Sequence, residues 1–276
     1  ALHHSLINNV TMSGFYGLCL ALIFYVFFVG RITNDVSFQL YSLYVFCAST
    51  FFLLQEGQLN ILFPQYTELL DYYYYSLFAG FTVLSATVFI VNVTDIQLRW
   101  PRLTRYLLYP MAISALVFSF LMVLVEDAAK VNLAGLFMAH ITFAIMLVVL
   151  VLVALQAWRR VLMTWLIFVS LLSMVVAMFI RLFAENADPF YERYALIIAF
   201  TFEAFIFAFV VSARIQNMKQ RKLIAESEAN TDELCSVLNR RGWIKQASDL
   251  LAKQKTKGGL VGVLYIDLDD FKAVND

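Results

Sequence analysis

The stretch LYIDLDDFKAVND, residues 264–276, gathers Asp267, Asp269, Asp270 and Asp276 around a Phe271-Lys272 pair. The apolar run that leads into it, LVGVLYID, reads as a strand, and its near-continuous apolar character predicts a central, buried one. Asp267 falls at the carboxyl end of that strand, and a helix start is expected from Asp270 or Phe271. A carboxylate in that place suits Mg²⁺, a hard cation that takes oxygen ligands, commonly one or two carboxylates plus substrate phosphates. Two such ions clamp the attacking and leaving oxygens of a phosphoryl transfer. Backbone N–H groups at a helix start, with Lys272 close by, would hold an anion beside the metal. Taken alone, the Asp-x-Asp has a second reading, as the acidic N-terminus of a helix that follows a strand.

The elements that must position these residues come just before them. NRRGWIKQASDLLAKQKTK reads as a helix with Asn239 as N-cap and with Trp243, Leu250 and Leu251 as candidates for its inner face. Gly258-Gly259 ends it, so the segment opens helix, strand, helix start, as an α/β domain does. Further upstream, VVSARIQNMKQRKLIAESEANTDEL has no Gly or Pro and reads as a continuous helix. Val211, Ile215, Met218, Ala225 and Ala229, with Lys222 between, recur at spacings of 3 and 4. They form either a short coiled-coil seam or one side of a solvated exit helix whose basic patch meets anionic lipid.

The rest of the chain belongs to a membrane. Of 276 residues 62% are hydrophobic and 14% charged, a balance that excludes an ordinary soluble domain. Net charge is zero, so no basic field argues for a nucleic-acid partner. Cys19, Cys47 and Cys235 lack CxxC spacing and carry no disulfide or metal signal. Seven apolar stretches, near 10–30, 36–56, 73–93, 106–125, 131–154, 161–183 and 194–212, each suffice to cross about 30 Å of hydrocarbon as a helix. Short connections predict antiparallel neighbours in one bundle in the lipid bilayer.

Basic residues set the expected orientation. Arg31, then Arg99, Arg102 and Arg105, then Arg159 and Arg160, then Arg214, Lys219, Arg221 and Lys222 fall on one side, which is therefore cytoplasmic. The other set of loops holds Glu68, Asp71, Glu126, Asp127, Glu185, Asp188 and Glu192 and faces outward. The N-terminus is then outside and the C-terminus inside. Tyr72 to Tyr75, Trp100, Trp158 and Tyr191 lie near span ends, where amphipathic rings meet headgroups. The first residue is Ala rather than Met and no leader precedes the first span, so the chain is expected to be cut at both ends.

Within the spans, His140, Arg181 and Glu203 are ionisable, with Glu56 near one end. Each is expected to face the bundle interior or a wet cavity. Glu203 divides between a signalling or ligand role and an interhelical hydrogen bond, and His140 leans to a structural bond with a neighbouring helix. A retinal site would need a Schiff-base lysine in the last span, and residues 194–212 contain none.

Two resemblances follow. GFYGLCLALIFYVFFVGRITNDVSFQLYSLYVF and LLQEGQLNILFP, with Gly17, Tyr25, Asp35, Tyr41, Gly57 and Pro64, resemble the bacterial seven-transmembrane receptors with diverse intracellular signalling modules. In that family an outer sensory domain usually precedes the first span. TDELCSVLNRRGW followed by LYIDLDDFKAVND resembles the opening of the GGDEF-type diguanylate cyclases, in Asp232, Leu234, Asn239, Arg240 and Arg241, then Asp267, Asp269, Phe271, Lys272, Asn275 and Asp276. Cys235, Ser236 and Val237 depart from that family's Thr-Gly-Leu, and Leu238 stands where Pro is common.

The second resemblance implies Asp267 and the Leu268 carbonyl as ligands of Mg²⁺ or Mn²⁺, and contacts from Lys272 and the backbone of Asp270 and Phe271 to GTP phosphates. It implies guanine recognition by Asn275, and two GTP-loaded domains meeting face to face in a homodimer. The Gly-Gly-(Asp/Glu)-Glu-Phe hairpin that supplies another metal ligand in that family is not among these 276 residues, which are expected to be inactive by themselves.

The expected organisation is a remnant of an outer segment over 1–9, a seven-transmembrane helix bundle over 10–212, a signalling helix over 213–230 and the first part of an α/β cyclase domain over 231–276. The expected whole is a receptor of the bacterial inner membrane, with an outer ligand not specified, that makes cyclic di-GMP. A nucleotide-binding relay with a degenerate GGDEF-like domain, and a seven-span transporter with a regulatory tail, are the competing readings.

Overall fold

The computed structural model describes residues 2–59, 74–125, 127–158, 162–183, 189–232, 235 and 237–266. The chain divides into two units, 1–215 and 216–276.

The first unit is helical. Its helices are α1 (Leu2–Thr33), α2 (Val36–Gln55), α3 (Tyr74–Val93), the single turn α4 (Ile96–Arg99), α5 (Pro101–Leu124), α6 (Ala128–Ala157) and α7 (Leu162–Phe183), followed by α8 (Pro189–Asn230), which runs on into the second unit. Seven helices are long and apolar enough to cross a membrane, in agreement with the seven expected spans. Sequence neighbours pack side by side, α1 on α2, α2 on α3, α3 on α5, α5 on α6 and α6 on α7. That is the outcome short connections dictate.

Local chemistry sets the ends. Asn34 takes a left-handed backbone (φ 55°), and Asp35 then caps α2 by accepting from the Ser37 N–H at 2.9 Å. Asp127 caps α6 in the same way, accepting from the Ala129 N–H at 3.0 Å. Pro101 opens α5 at its first turn, where its missing N–H costs nothing. Pro110 cannot donate to a carbonyl one turn back, and just before it the helix widens to π geometry over Thr104–Leu108, with the Tyr109 N–H reaching the Thr104 carbonyl. The fourth span, α5, therefore begins earlier than the expected 106, and Arg102 and Arg105 lie inside it.

Outer faces carry large apolar side chains such as Phe24, Phe28, Phe46, Val117 and Phe209, the surface that acyl chains would cover. Small residues draw helices together at buried contacts. A Cβ on Gly80 of α3 would lie 2.8 Å from Ser119 Cβ and 3.0 Å from Leu116 Cα of α5, so only hydrogen fits there. The core between α2, α3 and α8 is aromatic: Phe89 packs on Tyr41 at 5.2 Å and edge-on against Phe207 at 5.0 Å, and Tyr44 meets Phe200 at 5.7 Å between ring centroids.

In the second unit, the end of α8 is followed by an antiparallel bridge between Thr231 and Leu238 and by α9 (Arg240–Lys257). Gly258 follows at φ 73°, a left-handed position suited to ending a helix. The strand expected over 260–267 is not shown among the described residues: 258–266 have no regular structure, and Leu264, Tyr265 and Ile266 are exposed. A strand exists only as one side of a ladder, and no second strand lies beside it among the described residues. For the same reason Trp243, Leu250 and Leu251 of α9, expected on an inner face, are about half exposed at 53%, 53% and 54%. The apolar stripe is present, but no sheet is described for it to pack against.

Candidate functional site

Tyr41 and Tyr44 lie three residues apart on α2 and therefore on one face. Both reach across to α8. The Tyr44 hydroxyl donates to Glu203 Oε2 at 2.7 Å, and the Tyr41 hydroxyl donates to the Ala204 carbonyl at 2.5 Å. Glu203 is 2% exposed, so the carboxyl lies in the bundle interior as expected, and the interhelical hydrogen bond is one of the two roles the sequence allows it. Its other oxygen, Oε1, has no hydrogen-bond partner among the described residues.

Glu203 also lines a cavity of about 310 Å³ bordered by α2, α3, α5, α6, α7 and α8. The wall is apolar, with Phe51, Phe52, Val83, Ile145, Leu196 and Phe200 among its members, and five methionines take part: Met122, Met138, Met146, Met174 and Met178. The α8 contribution is Leu196, Phe200 and Glu203, spaced 4 and 3 along one stripe. Arg181, two residues before the end of α7, and Tyr75, at the start of α3, line it as well. The cavity therefore reaches from the bundle end where α3 begins and α7 stops to the carboxyl of Glu203.

The three intramembrane candidates are not equivalent. Arg181 lies on the cavity wall and is exposed, and the Gln55 side-chain amide, oriented with its oxygen to the guanidinium, accepts from Nη1 at 3.1 Å and Nη2 at 2.9 Å. His140 departs from expectation. It lies exposed on α6, with Nδ1 2.7 Å from the Leu136 carbonyl of its own helix and its ring edge-on to Phe183 at 6.3 Å. Side chains on a helix point back along it, so the carbonyl one turn earlier was within reach without a neighbouring helix.

At the opposite end of the first unit, two side chains satisfy the last carbonyls of α3. Arg214 of α8 donates to the Val93 carbonyl at 3.2 Å and lies 3.8 Å from Asp95, and Gln156 of α6 donates to the Thr94 carbonyl at 2.8 Å. Sequence reasoning counted Arg214 only as a topogenic charge. Its capping role depends on which helix stands beside it, and the tyrosine partners of Glu203 were missed for the same cause. Their signal was two hydroxyls three apart in an apolar run.

In the second unit Asn239 does more than the expected N-cap. Its Oδ1 accepts from the Gly242 N–H at 3.0 Å, while Nδ2 donates to the Ala229 carbonyl at 3.0 Å and the Thr231 carbonyl at 3.1 Å. The Asn239 N–H donates to the Asn230 carbonyl at 3.0 Å, and the Asp232 N–H to the Val237 carbonyl at 2.8 Å. One side chain thus ties the end of α8 to the start of α9. A side chain at Gly242 would collide with the Asn230 backbone, with a Cβ 3.0 Å from its carbonyl carbon, which makes glycine necessary at this crossing.

Asp267 and Leu268, the expected metal ligands, and Asp270, Phe271, Lys272 and Asn275, the expected GTP contacts, lie outside the described residues, as do Leu234, Asp269 and Asp276. Among the described residues no three His, Cys, Asp or Glu side chains gather as a metal site.

Comparison with known families closes on both parts of the chain. Residues 8–214 match the family model described as 7TM diverse intracellular signalling, and residues 229–276 match that of the diguanylate cyclase GGDEF domain. Comparison with curated proteins gives no match, and neither does comparison with solved structures.

Proposed function

The chain belongs to the 7TM diverse intracellular signalling family, and from that premise we propose that it is the membrane receptor part of a diguanylate cyclase. The observation that carries this reading is one of order along the chain. The GGDEF match begins at residue 229, where α8 ends, and α8 is also the helix that bears Glu203 in the bundle. A displacement of α8 at the bundle would be carried along an unbroken helix to the start of the cyclase segment.

In the full-length protein the reaction joins two GTP into cyclic di-GMP. The 3'-hydroxyl of each GTP attacks the α-phosphorus of the other, the bond from that phosphorus to the β-phosphate oxygen breaks, and two pyrophosphates leave. The hydroxyl protons pass to solvent. The donor set of the segment, a carboxylate at Asp267 with the Leu268 carbonyl beside it, is the oxygen chemistry that Mg²⁺ or Mn²⁺ takes. When bound, such an ion neutralises charge developing on the phosphates. Lys272 and the backbone of Asp270 and Phe271 hold phosphate oxygens, and Asn275 orients guanine. Two such domains must meet, so the protein works as a homodimer brought together by the end of α8 and the cyclase domains. It resides in a bacterial inner membrane with the C-terminus in the cytoplasm.

The test is cyclic di-GMP formation from GTP and Mg²⁺ by membranes holding the full-length gene product. Product is expected from the unaltered protein and not from Asp267→Ala, nor from residues 1–276 alone. GTP binding without any product from the unaltered protein would replace this reading by that of a nucleotide-binding relay.

A further inference from the structure

We propose that the 310 Å³ cavity inside the helix bundle is a ligand site, for a small apolar molecule with a hydrogen-bond donor at one end and an anionic or acceptor group at the other. The donor, a hydroxyl or amino group, meets Glu203. The acceptor, such as a carboxylate, meets Arg181.

Four observations converge. The volume lies at the lower end of the range that holds small molecules, roughly 300–1,000 Å³. The wall is apolar except at a few points, which is how such sites combine affinity with orientation. Glu203 is 2% exposed, yet only one of its carboxyl oxygens is engaged, by Tyr44. Glu203 lines the cavity and Tyr44 engages only its Oε2, so Oε1 is open to a donor on an occupant. Arg181 has donors left after its two bonds to Gln55, because a guanidinium carries five N–H groups.

The polarity of the two ends selects the ligand class. A plain acyl chain would bring a methyl terminus to Glu203 and leave the carboxyl unmatched, whereas a chain or ring ending in a donor satisfies it. Five of the nine methionines of the chain line the cavity, and their flexible thioethers let the wall adjust to the occupant's shape. The occupant would touch α8 directly at Leu196, Phe200 and Glu203. Its signalling consequence rests on the receptor reading above, but its binding does not.

The experiment measures binding of tritiated 10-hydroxydecanoic acid to the 276-residue chain in nanodiscs, without GTP. Decanoic acid, which lacks the donor, and 1-decanol, which lacks the carboxylate, serve as competitors. Saturable binding is expected, with each competitor about tenfold weaker, the scale of one hydrogen bond to a buried group. Glu203→Leu is expected to bring the hydroxy acid down to the affinity of decanoic acid. Ala139→Phe, which fills the cavity from α6 and leaves Glu203 in place, is expected to weaken every probe. Equal, non-saturable uptake of the three probes by the unaltered protein would show partition into lipid and overturn the proposal, as would full affinity in Ala139→Phe. The comparison of probes needs no variant, so a misfolded mutant does not rescue the idea. Failure of cyclase activity in the longer protein leaves this binding result standing, and loss of binding leaves the cyclase reading standing.

Discussion

The hydroxyl of Tyr44 donates to Glu203 Oε2 at 2.7 Å, joining residues 159 apart in the chain across two membrane helices. Three residues earlier on α2, Tyr41 donates to the carbonyl of Ala204, so α8 is held to α2 at two adjacent points. The joint sits at the wall of a cavity and on the helix that continues to Asn230. A polar joint in an apolar bundle fixes rotation and height of one helix against another more sharply than dispersion alone, because hydrogen bonds are directional. Under the ligand-site proposal, an occupant of the cavity would meet α8 beside this joint.

Tyr44→Phe is expected to destabilise the bundle by about 0.5–2 kcal/mol, the span measured for single interhelical hydrogen bonds in membranes. Unfolding in bicelles reads this directly. Combined with Glu203→Leu, which removes the acceptor, the losses are expected to be less than additive, because both substitutions delete one bond. Strict additivity would mean that the two side chains are energetically independent.

Gly80→Ala is expected to cost about 1–3 kcal/mol, as overpacking does, since its Cβ would press on Ser119 and on the Leu116 backbone. Thermal unfolding in detergent measures it. Ser119→Gly in the same chain should recover part of the loss by removing the Cβ that lies 2.8 Å away, while the Leu116 backbone contact at 3.0 Å remains.

At Asn239 two substitutions separate two roles. Asn239→Asp keeps an acceptor for the Gly242 N–H but loses the donors to the Ala229 and Thr231 carbonyls. Asn239→Ala loses both. Hydrogen exchange should show the first turn of α9 protected in Asp and frayed in Ala, by the roughly 1 kcal/mol that a cap contributes. The Asp232 N–H, which bonds the Val237 carbonyl inside the tied segment, should exchange faster in both variants. Unchanged exchange at Asp232 in both would mean that the amide donors do not hold the turn.

Orientation can be read with the native thiols. Cys19 and Cys47 are buried in helices and Cys235 is exposed. A membrane-impermeant maleimide should leave the protein unlabelled in intact cells and modify Cys235 alone once the cells are permeabilised. Labelling of Cys235 in intact cells would invert the topology assigned from the basic residues.

The number and placement of the membrane helices were legible in the sequence, because crossing a bilayer demands an apolar length that each segment carries by itself. The Asn239 cap was legible too, since a cap is an agreement between residues three apart. The GGDEF segment was recognisable by its residue spacing, and the family match covers it, although its metal and GTP residues lie outside the described residues. What the sequence left open was rotation. A helix that is apolar all round does not state which face meets its neighbours, so His140 was expected inside and lies outside, while the partners of Glu203 went unseen.

Those matters were decided only by tertiary structure. The 310 Å³ cavity, the pairing of Tyr44 with Glu203 and the capping of α3 by Arg214 and Gln156 are each properties of helices brought side by side from distant parts of the chain. The same reason accounts for the strand expected over 260–267, whose apolar sequence is local but whose hydrogen bonds need a partner. Sequence determined which segments are long and apolar enough to cross a membrane and where the GGDEF match begins. The packing of helices against one another decided which buried groups are matched and which carboxyl oxygen is left facing an open space.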